Sequence, residues 1–293
     1  MKKPVIGITW RRNFNGYEPL KKVIEEAGGI PVLLPMVTSE AVKYDDTDQV
    51  ISEELDAHGV LKQAFADEIK ARDYAKTNIV EVLKDIDGIF MIGGEDISPT
   101  LFKVPEEFAN SEDIDAARDV SDYILMAYCM DKDIPTIAVC RGMQMMGVVA
   151  GTGYIQDIRD YYKAQGQEYT IDFHRDPLGT PDNRVVRHDV ELVSKESHLF
   201  KIVQADVMKN ISSWHHQALD KLEGSGLILT GKSSYNGVEI IEAIEHPGKK
   251  YCVGLQFHPD NDVKLVCYDK KTTPADYEIA LSLFKNLIKY ASK

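Results

Sequence analysis

The stretch PTIAVCRGMQMMGVVAGTG, residues 135–153, decides the fold. A proline precedes the apolar run at 136–139, which is typical of a buried strand, and the residues after the cysteine favour a helix. Cys140 therefore lies on a sharp turn between strand and helix, where the small residues Ala138 and Gly142 let the two backbones approach. This pattern is typical of a nucleophile elbow with cysteine in the place of serine.

The surroundings of Cys140 favour its thiolate form. A helix N-terminus presents partial positive charge and N–H groups to the sulfur, and Arg141 adds a full positive charge beside it. The alternative is a buried structural cysteine, which is the common fate of intracellular cysteines. This stretch alone leaves both interpretations open.

Composition narrows the class of protein. The 293 residues are 44% hydrophobic and 28% charged, which is typical of a globular protein with a sizeable core. The formal net charge of −13 would repel a phosphate backbone, so nucleic acid is not an expected partner. The four cysteines form no C-x-x-C pair, so we expect neither a zinc site nor a disulfide scaffold.

No targeting or membrane segment is expected. The apolar run near the N-terminus is too short for a signal peptide, and no run approaches about 18 apolar residues. The sequence therefore predicts a protein of the reducing cytoplasm without a membrane span, a location that suits a reactive thiol.

The first half of the chain predicts a parallel sheet. Strands at 5–10 and 30–34 flank a helix at 17–26, which makes a βαβ unit, and residues 88–94 form a further strand. That strand ends in Gly93 and Gly94, whose backbone could approach a ligand closely or simply mark the exit of a strand.

The remaining segments complete an α/β fold in a single domain over residues 1–293. The acidic segment 37–86 predicts two or three helices, either a solvated helical excursion or a lid or dimer contact. Strands are expected at 154–158 and in four stretches between 185 and 257, residues 160–183 are expected to form a long loop, and a C-terminal helix is expected at 274–290.

A thiolate enzyme needs a base, and His258 is the best candidate. It follows the apolar run of VGLQFHPD, so parallel pairing would place it beside Cys140. Asp260, two residues further on, can share a face with His258 if the segment is extended. The three residues would form a Cys-His-Asp set.

The string SSWHHQAL contains His215 and His216, which could donate hydrogen bonds in a pocket or bind a metal. Adjacent residues of an extended segment point to opposite sides, and no carboxylate is suitably spaced, so no metal site is predicted. The other histidines show no usable pattern: His58, His174, His188, His198 and His246.

Four strings now stand in one order: GGEDISP, AVCRGMQ, SSWHHQA and GLQFHPD. Together they resemble the class I glutamine amidotransferase-like superfamily, and within it the peptidase C26 branch of γ-glutamyl-γ-aminobutyrate hydrolase type. The resemblance implies a three-layer α/β/α sandwich with a mostly parallel sheet. It also implies a hydrolase of γ-glutamyl amides, which are small-molecule substrates, that needs no cofactor or metal.

The resemblance assigns roles by position. Cys140 matches the nucleophile and His258 the general base and acid, while Gly94 and Arg141 match the backbone donors of the oxyanion hole. The positions matching a substrate pocket are Gly93, Gln144 and His215.

The chain departs from the family pattern at several places, among them Ala138 in place of the first glycine of the elbow and GGEDISP in place of G-G-x-D-V-x-P. The usual H-P-E is His258-Pro259-Asp260, the usual R-D-x-x-E ends at Asp122, and segment 37–86 is longer than expected. Asp260 is one methylene shorter than glutamate, which a backbone shift or a bridging water could accommodate. We therefore expect Asp260 to be the third member of the triad.

Two other functions stay open at this stage. One is a glutaminase component that supplies ammonia to a partner synthetase. The other is a non-catalytic or redox-sensing homologue that retains the cysteine turn. The amine released by the hydrolase is not specified by the sequence, and a homodimer is a mild expectation.

Overall fold

The computed structural model describes residues 2–102, 113–169, 174–175 and 185–292. Within these residues the strands are β1 (Val5–Ile8), β2 (Ile30–Leu33), β3 (Gly88–Met91), β4 (Thr136–Val139), β5 (Tyr154–Ile155), β6 (Val186–Leu192), β7 (Val207–Ser213), β8 (Ala218–Leu219), β9 (Ile228–Tyr235), β10 (Val238–Glu245) and β11 (Cys252–Leu255). The helices are α1 (Tyr17–Ala27), α2 (Gln63–Lys70), α3 (Ile79–Val82), α4 (Ala116–Lys132), α5 (Arg141–Ala150), α6 (Ile158–Ala164), α7 (His198–Val203), α8 (Pro259–Cys267) and α9 (Tyr277–Ala291).

One large sheet carries the fold, with the strand order β2-β1-β3-β4-β11-β10-β9-β6-β7. The five strands from β2 to β11 run parallel, and the next four extend the sheet in antiparallel pairs. Strands β5 and β8 form a separate antiparallel pair. The predicted α/β class, with a parallel sheet around Cys140, is confirmed.

Helices cover both faces of the sheet. Successive residues of β3 divide between two cores, because side chains of a strand alternate between its faces. Ile89 and Met91 pack with α4 and α5, whereas Phe90 packs with α1 and α9. This is a three-layer arrangement, and β4 lies buried at its centre.

Segment 37–86 contains two helices, within the predicted number of two or three, but both are short. It holds the short helices α2 and α3, two 3₁₀ turns at Ser52–Glu54 and Tyr74–Lys76, and isolated β-bridges. Its apolar side chains nevertheless join the core that contains α4, since Leu61 and Ile79 are fully buried.

Several other boundaries differ from expectation; for example, the strand expected at 5–10 ends at Ile8. The strand expected at 154–158 ends at Ile155, because the side chain of Asp157 accepts hydrogen bonds from the first turn of α6. Helix α6 therefore occupies the start of the loop expected at 160–183, while 170–173 and 176–184 lie outside the described residues. The last helix, expected from residue 274, begins at Tyr277, and Asp276 provides its N-cap. The described helices include none that is long and apolar enough to cross a membrane.

Candidate active site

Cys140 joins the end of β4 to the start of α5, as the sequence predicted. Its backbone has φ 53° and ψ −111°, a left-handed conformation that is strained for a residue with a side chain. The next turn is crowded as well, because a Cβ on Gly142 would lie 2.6 Å from the carbonyl oxygen of Met91. Such local strain is characteristic of functional turns.

The structure brings His258 to the same place as Cys140. Strand β11 pairs in parallel with β4, with Leu255 opposite Val139, so both residues leave the sheet at the same edge. A Cβ built on Gly93 would lie 3.0 Å from Cε1 of His258 and 3.8 Å from Sγ of Cys140. The two side chains therefore flank one small space that Gly93 leaves open.

Asp260 lies beside His258, but not on an extended segment. It occupies the first turn of α8, with Pro259 at the first helical position, and its Oδ1 lies 3.2 Å from Nδ1 of His258. Burial lowers the pKa of His258, but Asp260 and the sulfur of Cys140 outweigh it and raise the pKa well above the ordinary value. The imidazole is thus favoured in its protonated form.

An arginine fixes the loop that contains Gly93 and Gly94. Nη2 of Arg118 donates to the carbonyl oxygens of Gly93, at 2.8 Å, and of Ile92, at 3.2 Å. Gly94 has φ 154°, and a Cβ there would lie only 1.8 Å from Nη1 of Arg118, so only glycine permits this approach. Because N–H and C=O point in opposite directions across a trans peptide, the N–H of Gly94 points away from Arg118.

Arg118 belongs to a buried ion-pair cluster, which we call the arginine–acid network. Asp119 accepts from Arg141 at 2.7 Å, and Asp122 lies within 3.3 Å of both Arg118 and Arg141. Burial raises the pKa of Asp119 to about 6, although Arg141 opposes that shift. The network consists of Arg11, Glu95, Arg118, Asp119, Asp122 and Arg141.

The network fixes two parts of the site at once, because it links the loop at 93–98 to the first residue of α5. In the sequence, Asp122 stood out only as the end of a changed R-D-x-x-E pattern. Charged residues on an otherwise buried helix were the sequence feature that could have revealed it, since buried charges are almost always paired.

Gln144 belongs to a set of neutral hydrogen-bonding side chains, which we call the amide bridge. Its Nε2 lies 3.3 Å from both the carbonyl oxygen of Gln217 and Oε1 of Gln256. The hydroxyl of Tyr154 lies 3.1 Å from Oε1 of Gln144 and 2.7 Å from Oε1 of Gln217. The side chain of Gln144 is therefore fixed by its neighbours.

Comparison with known proteins decides the family. The family model described as peptidase C26 matches residues 69–260, which contain Cys140, His258 and Asp260. The chain belongs to the peptidase C26 family. It is accordingly a hydrolase by family, and its likeness to glutamine amidotransferases agrees with the four strings of sequence.

Two relatives show the kinds of protein to which this C26 chain is similar. A glutamine amidotransferase-like protein of Rickettsia prowazekii is 30% identical over 251 residues, covering 75% of this chain and 82% of the relative. The γ-glutamyl-γ-aminobutyrate hydrolase PuuD of Escherichia coli K12 is 24% identical over 270 residues, 89% of this chain and 87% of the relative.

Solved structures agree with the fold of this C26 chain. The glutaminase domain of Trypanosoma brucei CTPS has a TM-score of 0.53 at 17% identity, covering 98% of this chain and 94% of that one. A glutamine amidotransferase from Thermotoga maritima has a TM-score of 0.52 at 12% identity, with complete coverage of both chains. At such identities these structures show the shared fold alone.

The adjacent histidines of this C26 chain have different surroundings. His216 lies between two carboxylates, with Nε2 3.1 Å from Asp96 and Nδ1 3.3 Å from Asp157. Burial lowers the pKa of His216, but these carboxylates raise it to about 9. His216 therefore joins the loop after β3 to the N-terminus of α6.

His215 faces the other way, into a second buried group that the sequence analysis missed. We call this group the histidine–glutamate cluster, and its members are His174, His188, His215 and Glu242. Burial, and next His174, lower the pKa of His215 well below its ordinary value. The backbone still ties this cluster to the site, because the carbonyl oxygen of Trp214 lies 3.7 Å from Sγ of Cys140.

Proposed function

We propose that this protein is a cysteine-dependent hydrolase of γ-glutamyl amides. The observation that carries the proposal is the meeting of a strained cysteine turn with a histidine at the space left by Gly93. Because the histidine is also hydrogen-bonded to Asp260, the three side chains have the order of nucleophile, base and orienting acid.

In the first step, the thiolate of Cys140 attacks the γ-carbonyl carbon of the substrate. The negative charge that develops on the carbonyl oxygen is stabilised by the N–H groups of Gly94 and Arg141. Two features support these donors: Arg118 turns the Gly94 N–H away from itself, and Arg141 is the first residue of a helix, where N–H groups have no intrahelical acceptor. One such donor contributes about 10²–10³-fold in rate.

In the second step, His258 gives its proton to the leaving amine as the C–N bond breaks. A γ-glutamyl thioester remains on Cys140. His258 then takes a proton from water, the hydroxide oxygen attacks the thioester carbon, and the C–S bond breaks. The products are glutamate and a free amine, and Asp260 orients the imidazole throughout.

The glutamyl group is the part of the substrate that we assign with the most support, since the E. coli relative is named for a γ-glutamyl amide. Nε2 of Gln144 and Nδ1 of His215 are already engaged by the backbone carbonyl oxygen of Gln217. We therefore propose that these two residues, with Gly93, shape the wall of the pocket and do not donate hydrogen bonds to the substrate.

The proposal also includes the cell compartment and the oligomeric state of the protein. All four cysteines are unpaired and buried, which agrees with a reducing cytoplasm. A homodimer remains a prediction.

The test is glutamate release from a panel of γ-glutamyl amides. The panel contains glutamine and γ-glutamyl derivatives of γ-aminobutyrate, a polyamine and a folate. Wild type should release glutamate from at least one compound, and Cys140→Ala should release none while keeping its circular dichroism spectrum. Cys267→Ala removes another largely buried cysteine, at the end of α8, and should retain activity.

The same panel separates the other two functions. Cleavage of glutamine alone, and only with an added synthetase, would indicate an ammonia-supplying subunit. No cleavage of any compound, together with rapid oxidation of Cys140 by dilute peroxide, would indicate a redox sensor and contradict the proposal. Unchanged hydrolysis by Cys140→Ala would contradict the mechanism.

A further inference from the structure

The histidine–glutamate cluster combines four potential metal ligands from four separate segments. One ligand atom from each of His174, His188, His215 and Glu242 lies within 4.8 Å of all the others. The four side chains are at least nine-tenths buried, with exposed fractions of 3%, 7%, 1% and 0% respectively. The centre of the cluster is therefore closed to bulk water.

The hydrogen bonds of two histidines leave lone pairs directed into the cluster. Nδ1 of His215 lies 2.8 Å from the carbonyl oxygen of Gln217, and Nδ1 of His188 lies 3.1 Å from that of Asp189. A carbonyl oxygen only accepts, so each Nδ1 carries the proton and each neutral ring keeps its lone pair on Nε2. Metal-binding histidines commonly use their second nitrogen in this way.

These inward atoms lack the hydrogen bonds that buried polar atoms normally make. Among the described residues, nothing hydrogen-bonds to Nε2 of His188, Nε2 of His215 or Oε2 of Glu242. Oε1 of Glu242 accepts a hydrogen bond from the Ser233 hydroxyl at 2.8 Å. Three unsatisfied acceptors that face one another are costly unless a cation lies between them.

We propose that the histidine–glutamate cluster is a binding site for a divalent transition-metal ion, best matched by Zn²⁺. Three imidazoles and one carboxylate are a donor set that zinc accepts in tetrahedral geometry. Bonds of about 2.0–2.1 Å place tetrahedral ligand atoms roughly 3.4 Å apart. The three histidine nitrogens lie 3.3, 3.6 and 3.9 Å from the nearest oxygen of Glu242, and all four ligand atoms lie within 4.8 Å of one another, so the cluster must contract to reach this spacing.

Irregularities in the sheet direct the ligands inward. The register of β10 against β9 shifts between Ile241 and Ala243, which leaves Glu242 out of the regular pairing. The register of β6 against β7 shifts directly after His188. Register shifts of this kind include β-bulges, which commonly redirect a side chain beside a functional site. The backbone N–H of His215 donates to the carbonyl of His174 at 2.9 Å and brings the remaining two ligands together.

With four protein ligands the ion has no open position, so its role is structural. It joins the segment around His174 to β6, β10 and the turn after β7. That turn carries the Trp214 carbonyl oxygen, 3.7 Å from Sγ of Cys140, and β7 ends beside the Ser212 carbonyl that accepts the N–H of His258 at 2.7 Å. Loss of the ion would therefore loosen one wall of the cysteine site.

The experiment measures metal in the full-length protein after removal of any histidine tag. Cys140→Ser serves as the background, so that the thiolate cannot contribute a competing site. Elemental analysis after zinc loading and dialysis should give one zinc per chain. Replacement by Co²⁺ should give the visible absorption of a tetrahedral ion without a sulfur-to-cobalt charge-transfer band, as expected for nitrogen and oxygen ligands.

Two variants in that background locate the ion. Glu242→Gln and His188→Ala should each weaken zinc binding by more than the about 10–100-fold typical of second-shell changes. His246→Ala alters a histidine outside the cluster and should bind zinc as the background does. If either ligand variant fails to fold, the cobalt spectrum of the background protein still decides the question.

Zinc below one-tenth equivalent after loading, a cobalt spectrum of octahedral form, or equal binding by all variants would overturn the proposal. The first outcome would mean that the cluster shares protons and holds no ion. None of these outcomes depends on glutamate release, so the metal site and the proposed hydrolase fail separately.

Discussion

Two groups of buried polar side chains flank Cys140, and they differ in how their charges are balanced. The arginine–acid network pairs three guanidinium groups with three carboxylates, each within 3.3 Å of an opposite charge. The histidine–glutamate cluster opposes one carboxylate with three imidazoles, and several of its inward atoms have no hydrogen bond among the described residues. Every charged group of the network lies in an ion pair, although several of its atoms, such as Nε of Arg118 and both carboxylate oxygens of Asp122, lack a hydrogen bond among the described residues. The cluster, by contrast, has the composition of a metal site.

The two groups fix different parts of the active site. The network fixes the glycine loop and the first residue of α5, and the cluster fixes the turn that carries Trp214. The amide bridge links the cluster to α5, the helix that begins at Arg141, because the carbonyl oxygen of Gln217 lies 2.8 Å from Nδ1 of His215 and 3.3 Å from Nε2 of Gln144. The cysteine turn is thus supported from both sides by polar groups of different composition.

The largest effect on stability is expected from removing one guanidinium group of the arginine–acid network. Arg118→Met leaves Glu95 and Asp122 buried with one fewer partner, so the free energy of unfolding should fall by about 3–5 kcal/mol in urea titrations. Lys76→Met removes an exposed ion pair with Asp73 and should have little effect. Equal stability of Arg118→Met and wild type would show that the network does not hold the fold.

A smaller effect on stability is expected from binding zinc at the histidine–glutamate cluster. Zinc at 100 times its Kd should stabilise chelator-treated protein by about 2.7 kcal/mol, because it binds the folded state. Asp119→Asn changes only the network and should keep this increment, whereas Glu242→Gln should lose it. Urea titrations with and without zinc measure both, and loss of the increment in Asp119→Asn would show that the two groups are coupled.

The interaction of Asp260 with His258 should determine how kcat/KM depends on pH. The pKa of His258 is lowered by burial but raised further by Asp260, so Asp260→Asn should move the alkaline limb of kcat/KM to lower pH. We expect activity to fall about 10-fold at neutral pH, less than the 10²–10⁴-fold that a positioned base itself contributes. Asp260→Glu, which restores the family's usual residue, should retain the wild-type profile.

Stability should follow the same titration. Because the folded pKa of His258 is raised, its contribution is fully present below the unfolded pKa of about 6.5 and is lost as pH rises through the folded pKa. The stability difference between wild type and Asp260→Asn should therefore be largest in mild acid and shrink as pH rises. A difference that grows with pH would contradict the assigned pair.

The smallest effect is expected at the amide bridge. Tyr154→Phe removes one hydroxyl that bonds to Gln144 and Gln217, which should cost about 1 kcal/mol in unfolding free energy. KM should change more than kcat, because the bridge positions a pocket wall and no reacting atom. A large loss of kcat would instead place Tyr154 in the chemistry.

The parallel half of the fold could be predicted because its strands are short, fully buried runs. Strands β3 and β4 are buried at every position, and each stands beside glycine or proline in the sequence. That pattern also predicted the meeting of Cys140 and His258, since neighbouring parallel strands end at one edge. The sequence left open whether the segment after His258 is extended; Pro259, a common first residue of a helix, was the feature that indicated the first turn of α8.

The histidine–glutamate cluster could not be predicted from local sequence. Its members are at positions 174, 188, 215 and 242, and this spacing matches no known metal-binding motif. The orientation of two of them depends on register shifts in the sheet, which no periodic sequence pattern reveals. Segment 37–86 was similarly difficult, because its buried residues follow irregular turns instead of helical periodicity.

The central claim is that Cys140 carries the acyl group, and acid quenching during turnover tests it most directly. Intact-mass and peptide mapping of the quenched protein, with a substrate identified from the panel, should find a γ-glutamyl group on the peptide that contains Cys140 and none in Cys140→Ala. A γ-glutamyl group on any other side chain, or turnover by Cys140→Ala, would contradict the account.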